Sequence, residues 1–263
     1  MSAIVVRDLW LEYGDQIVLE RINLAIAAGG FVSLVGPSGA GKSSFLRLIL
    51  GQEQPTRGAI LLDGAPPKPE PGPDRGVVFQ RYSVFPHLSV LRNVLIAFEF
   101  EGSPLLGQLR GATRGAAREK SLALLEEVGL AQHADKYPSA LSGGMQQRLA
   151  IAQALARKPR VLLLDEPFGA LDPGTRMQMH QLIKALWKDC GMTVIMVTHD
   201  IKEAFALGTR VIAFDRPRKD PQAAERYGAT ITYDLDLRRD SPVPVLGFSK
   251  LADKNVNQSQ ETH

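Results

Sequence analysis

The sequence predicts an α/β protein with a mostly parallel sheet, an antiparallel β portion at the N-terminus and a helical segment inserted between strands. Three observations predict it. Nearly continuous apolar runs such as "FVSLVG" (31–36), "VLLLDEP" (161–167) and "MTVIMVTH" (192–199) have the pattern of strands buried on both faces. Helical patterns separate such runs, and strands joined through helices run parallel. Residues 1–30 instead alternate loosely between glycine-bearing turns, while "SLALLEEVGLAQHA" (121–134) repeats at three- and four-residue intervals.

Taken in order, "IVVRDLWLEYG" and "ERINLAIAAGG" read as short antiparallel strands. The run 31–36 is an interior strand, followed by a helix from near Lys42 to near Gly51. "GAILLDG" (58–64) is a strand between turns. The proline-rich "APPKPEPGPDR" (65–75) is a loop, because successive prolines suit neither helix nor central strand. "GVVFQ" (76–80) is a strand, and residues 84–155 form the helical insertion. Within it, "GSPLLGQLRGATRGAAR" (102–118) reads as a glycine-punctuated surface excursion. Strands return at 160–167, 192–199 and 210–215, with a helix across 174–189. "YGATITYDLDL" (227–237) alternates as an edge strand, and the polar tail from about residue 240 frays. The reading therefore places one domain at 1–215, with the 84–155 insertion, and a short extension at 216–263.

At 263 residues, 44% hydrophobic and 22% charged, the chain has ordinary globular composition. Its net charge of +3 is spread thinly, which argues against a nucleic-acid partner. Cys190 is its one cysteine, so neither an internal disulfide nor a cysteine zinc site is expected. No leader-like apolar core opens the chain, and no run reaches the ~18 apolar residues of a membrane span.

"GPSGAGKSS" (36–44) follows a strand and opens a helix, the context a P-loop requires. Gly36, Gly39 and Gly41 let the backbone approach phosphates, Lys42 neutralises them, and Ser43 offers its hydroxyl to Mg²⁺. "VLLLDEP" delivers Asp165 to a strand end, where it would hold Mg²⁺, and Glu166 beside it to polarise the attacking water. The chain is expected to bind and hydrolyse a nucleoside triphosphate. No Asn-Lys-x-Asp guanine reader is present, which argues against a GTPase. "LSGGMQQR" (141–148) adds a second helix N-terminus, with Ser142 as cap and exposed N–H groups carrying about half a positive charge. A simple P-loop kinase has no use for it.

"LSGGMQQR" is also the signature of ATP-binding cassette proteins, and from about residue 4 to 215 the chain resembles that family. The resemblance implies a P-loop NTPase core of RecA-like type that takes ATP and Mg²⁺. It implies a head-to-tail pair with a second copy, with ATP between the P-loop of one and Ser142, Gly143 and Gly144 of the other. The loop as a whole (Gly36, Ser38, Gly39, Ala40, Gly41, Lys42, Ser43 and Ser44) would hold the nucleotide. Tyr13 of "LEYGD" would stack on adenine, and Gln80 of "VVFQ" would approach Mg²⁺ and water. Asp172 of "FGALDP" would reach across the pair, and His199 of "VTHD" would contact the γ-phosphate.

"GPDRGVVFQ", "VFPHLSVLRNV" and "LSGGMQQRLAIAQALARKP" resemble the nitrate/sulfonate/taurine group of bacterial importers. This implies a motor subunit at the cytoplasmic face of the inner membrane. Its permease would dock on Tyr82, Val84, Phe85 and Leu88, and a periplasmic solute-binding protein would act indirectly. "DPQAAERYGATITYDLDL" (220–237) resembles importers linked to urea or guanidine metabolism. Solute choice resides in the partners, so the chain does not name its cargo. A cassette ATPase of cofactor assembly or repair is the alternative.

Overall fold

In chain order the elements are β1 (Ser2–Tyr13), β2 (Gln16–Ala27), β3 (Phe31–Val35), α1 (Lys42–Leu50), β4 (Arg57–Leu62) and β5 (Arg75–Val78). There follow α2 (Val90–Gly102), α3 (Gly111–Glu127), α4 (Gly143–Leu155), β6 (Val161–Asp165) and α5 (Pro173–Cys190). The last are β7 (Thr193–Val197), α6 (Ile201–Leu207), β8 (Arg210–Asp215) and β9 (Thr230–Asp236). The computed structural model describes residues 2–69, 72–79, 84–102, 111–218, 222–223 and 226–238. Gln80 and Tyr82, residues 103–110 of the expected excursion and the polar tail lie outside the described residues.

The chain divides into two units, one of residues up to 49, 53–67 and 197 onward, the other of 50–52 and 68–196. In the first, β1 pairs antiparallel with β2 on one side and β4 on the other. Along β2, buried and exposed residues alternate beyond Val18–Glu20, the mark of a sheet with one covered face. β3 is buried at all five positions and runs parallel to β8, with Val32 opposite Arg210 and Val35 opposite Ala213. β9 then pairs antiparallel with β8. Phe45 on α1 packs against Phe214 on β8, ring centroids 5.3 Å apart, and so seats α1 on the strands.

In the second unit β5 and β6 are parallel, Arg75 opposite Val161, and β7 lies beside β6. Helices α2, α3 and α4 close over their own apolar core, which includes Val90, Val94, Leu125, Val128, Leu149 and Ala152. α5 starts at an Asp172 cap with Pro173 in the first turn and stops at Gly191, whose φ of 61° is left-handed.

Two features depart from the sequence pattern. The 102–118 excursion is helical from Gly111 onward. A helix-interior glycine costs about 1 kcal/mol relative to alanine. Ala117, buried against Leu95 and Phe98, holds this glycine-bearing stretch on α2. The sequence pattern also omits α6, a seven-residue helix that Asp200 starts by accepting from the N–H groups of Lys202 and Glu203.

Candidate active site

The first unit carries the P-loop, Tyr13 and His199. β3 ends at Val35, and the chain must turn at once into α1. Gly36 makes this possible: its φ is 146°, and a Cβ there would lie 2.1 Å from the Phe214 carbonyl oxygen. Gly41 has a left-handed φ of 72°, and a Cβ there would press on β2, 2.6 Å from Leu19 Cδ2 and 3.2 Å from Val18 Cγ1. Lys42 is 7% exposed. Its Nζ donates to the carbonyls of Gly36 and Pro37, each at 2.8 Å, so the ammonium sits inside the loop. Ser38 and Gly39 are exposed at the tip, Ala40 is buried beneath it, and Ser43 is exposed in the first turn of α1.

Tyr13 ends β1 with 47% of its surface exposed. Its hydroxyl donates to Glu53 Oε2 at 2.6 Å. Burial, then the Glu53 carboxylate, push the hydroxyl above the usual phenol value; Ser44 and Arg47 pull the other way. The phenol therefore stays a donor at neutral pH, pinned at its tip.

His199 is exposed directly after β7. Thr198, whose N–H donates to the Leu34 carbonyl at 3.1 Å, fixes the preceding backbone beside β3. Its hydroxyl donates to Glu203 and accepts from the Asp200 N–H at 3.1 Å, tying the His199 turn to α6.

The second unit carries Asp165, Glu166, Asp172 and the signature. β6 brings Asp165 and Glu166 from a fully buried strand to half-buried positions at its end. Glu166 has φ 48°, a left-handed backbone rare in a residue with a Cβ. Such a conformation costs ~1–3 kcal/mol and clusters at functional sites.

Ser142 caps α4, its hydroxyl oxygen accepting from Met145 N–H at 3.4 Å. Ser142 and Gly143 are exposed, whereas Gly144 faces inward. A Cβ at Gly144 would lie 2.4 Å from Thr175 Cγ2. The α4 and α5 N-termini therefore stand side by side. Asp172 caps α5, accepting from Thr175 N–H at 3.0 Å. Hydrogen bonds from the Thr175 side chain and backbone hold its carboxyl below the usual carboxylate range.

Several residues that support this arrangement go unnoticed in the sequence. Gln146 donates to the carbonyls of Pro138 and Leu141 at 3.0 and 3.3 Å, bracing the turn before Ser142. Arg148 joins α4 to the Val128 carbonyl and to Gln178 on α5. Asn93, fully buried, donates to the carbonyls of Phe85, Leu88 and Ser89, and Gln153 donates to Asn93. Glycine spacing could have signalled the Gly144 approach; the polar networks have no sequence signal.

The ABC transporter family model matches residues 19–169. Over 250 residues the chain is 44% identical to an aliphatic sulfonates import ATP-binding protein, SsuB 3 of Pseudomonas savastanoi pv. phaseolicola, covering 95% of this chain and 82% of that protein. SsuB 1 of Burkholderia cenocepacia is 41% identical over 219 residues, 82% of this chain and 62% of that protein's length. Among solved structures, the dimeric post-hydrolysis state of the ATP-binding cassette MJ0796, bound to ADP and Pi, superposes with a TM-score of 0.71. It is 32% identical and covers 90% of this chain and 99% of that one. With a P-loop after β3, an Asp-Glu pair at the end of β6 and a Ser-Gly-Gly helix start, the chain belongs to the ABC transporter family.

Proposed function

We propose that the chain is the ATP-hydrolysing motor of a bacterial importer, working as a head-to-tail pair with MgATP between the P-loop of one copy and the signature of the other. One observation carries the reading. Beyond the helix start its P-loop supplies, the chain exposes a helix N-terminus at Ser142 and Gly143 that is capped by an uncharged side chain, unlike the Asp-capped starts of α5 and α6. Such an end attracts anions through unpaired N–H groups and the helix dipole.

The residues fit MgATP: a loop with no room for a Cβ at Gly36 and little at Gly41, a lysine at its centre and an exposed Ser43. When bound, MgATP supplies the phosphoanhydride bond and the metal's charge. Lys42 and the loop N–H groups orient and neutralise the phosphates. Ser43, Asp165 and Gln80 would hold the metal. Glu166 takes a proton from the attacking water, and His199 steadies the γ-phosphate. The Tyr13 ring stacks on adenine, and Asp172 faces the partner copy.

The solute passes through separate membrane subunits, which hold the motor at the cytoplasmic face of the inner membrane. No helix among the described residues is long and apolar enough to cross a membrane. The docking surface is the segment after Gln80. Phe85 is 39% exposed and lines a cavity of about 250 Å³ with Val78, Ile96 and Ala150. Val84 instead packs on the helical core. A solute-binding protein delivers cargo, and the sulfonate relatives make an organic anion of that class the first to try. Purification of the tagged chain from detergent-solubilised membranes tests this: a multi-helix permease should accompany it. A purely soluble set of partners would point to a cassette ATPase of assembly or repair.

A further inference from the structure

The chemistry above leaves the C-terminal extension without a role, yet it secures a buried carboxylate. Glu20 on β2 is 3% exposed and pairs with Arg218. The Arg218 guanidinium lies 4.4 Å from the centre of the Tyr227 ring. Ala229, fully buried, gives both its backbone groups to β2: it accepts from Glu20 N–H and donates to the Val18 carbonyl, each at 2.9 Å. This makes a parallel bridge opposite Leu19. Gly228 fits so closely that a Cβ would lie 2.8 Å from Ile17 Cγ2 and 3.0 Å from the Leu19 carbonyl carbon. Leu19 and Val18 are in turn the side chains that close on Gly41 of the P-loop. Farther along, Arg210 of β8 joins Asp234 of β9 through Nε at 2.6 Å and donates to the Ala25 carbonyl of β2 at 2.6 Å.

The P-loop wall is thus a strand held in place from the C-terminal side. We propose that Arg218, Tyr227, Gly228 and Ala229 form a clasp that seats β2 against Gly41 and thereby sets the affinity for ATP, with Arg218 and Glu20 as positioning residues. The proposal rests on the P-loop being the ATP site. A clasp of this kind acts on nucleotide binding, because β2 borders the phosphate loop.

The test separates positioning from mere support of the fold. Arg218→Ala leaves the Glu20 carboxylate buried and unpaired, so it lowers Tm as well as affinity. Glu20→Gln with Arg218→Met removes both charges and the ion pair together. Binding of a fluorescent N-methylanthraniloyl-ATP, ATPase kinetics and thermal melting are measured on the full chain. The expected result is about tenfold weaker binding and a raised KM in both variants, kcat within twofold of wild type, and Tm recovered in the double variant alone. Affinity recovered together with Tm in the double variant would overturn the clasp, as would unchanged affinity in Arg218→Ala. Lys42→Ala is the control for the underlying reading. If it binds the probe as tightly as wild type, the P-loop assignment fails, and the clasp with it.

Discussion

Phe85 and Asn93 exchange two hydrogen bonds: the Phe85 N–H donates to Asn93 Oδ1 at 2.7 Å, and Asn93 Nδ2 donates to the Phe85 carbonyl at 3.1 Å. Phe85 is exposed while Asn93 is fully buried, so the core of the helical insertion dictates the shape of a surface segment. An interior amide serving four backbone groups is costly to lose, because each orphaned buried group forfeits ~1–3 kcal/mol. Asn93→Ala is therefore expected to lower Tm and to loosen residues 85–89. In membranes the variant should retain basal ATPase within a few-fold while recovery of the permease drops. Co-purification at wild-type yield would show that Asn93 does not shape the docking surface.

Tyr13 presents a ring whose hydroxyl is already engaged with Glu53. Base stacking on an aromatic side chain contributes ~1–3 kcal/mol, and about 1.4 kcal/mol is a factor of ten in affinity. Tyr13→Ala should weaken ATP binding about tenfold or more, whereas Tyr13→Phe, which keeps the ring, should change it less than threefold. Titration with a fluorescent nucleotide measures both. Equal losses in the two variants would show that the hydroxyl, not the ring face, matters.

Gly144 and Thr175 bring the signature helix and α5 into contact. A methyl at position 144 meets Thr175 Cγ2 at 2.4 Å, so Gly144→Ala should cut ATPase activity at least tenfold. Thr175→Ser deletes that Cγ2 and keeps the hydroxyl. Added to Gly144→Ala, it is expected to restore most of the activity. A double variant as poor as the single would place the fault in the backbone of α4 rather than in the contact.

Asp172 makes a pH-dependent contribution at the start of α5. Its folded-state carboxyl lies below the usual value, so it stabilises the fold above the ordinary carboxylate range. That contribution is lost as pH falls through the lowered value. Asp172→Asn keeps a capping side chain without the charge. Melting curves should show wild type the more stable at pH 6 and the gap closing toward pH 3. A gap independent of pH would deny the carboxylate this role.

The interior strands β3, β6 and β7 were legible because burial on both faces writes an unbroken apolar run. The loop between β3 and α1 was legible for a different reason: its glycines and Lys42 lie within nine residues, so their spacing survives without tertiary information. The first turns of α3 were not, since glycines at 111 and 115 resemble a loop until Ala117 finds its partners on α2, whereas its end from Ser121 onward shows helical spacing. Ser142, Gly143 and Gly144 read together as phosphate contacts through the family resemblance, and the structure adds the close approach of Gly144 to Thr175 of α5. Asn93 and Gln153 look like surface polar residues, because burial by neighbours remote in sequence leaves no periodic trace. The left-handed backbone of Glu166 is equally silent, being imposed by the bend after β6.

In the proposed function two copies enclose ATP and Glu166 drives its hydrolysis. Glu166→Gln keeps the shape and removes the base, a group worth ~10²–10⁴-fold in rate. The most direct measurement is the mass of this variant in solution with MgATP, by light scattering after gel filtration, alongside its turnover. The expected result is a stable dimer that forms with MgATP, dissociates when nucleotide is removed, and hydrolyses at least a hundredfold more slowly than wild type. A monomer under saturating MgATP, or hydrolysis near the wild-type rate, would contradict the account.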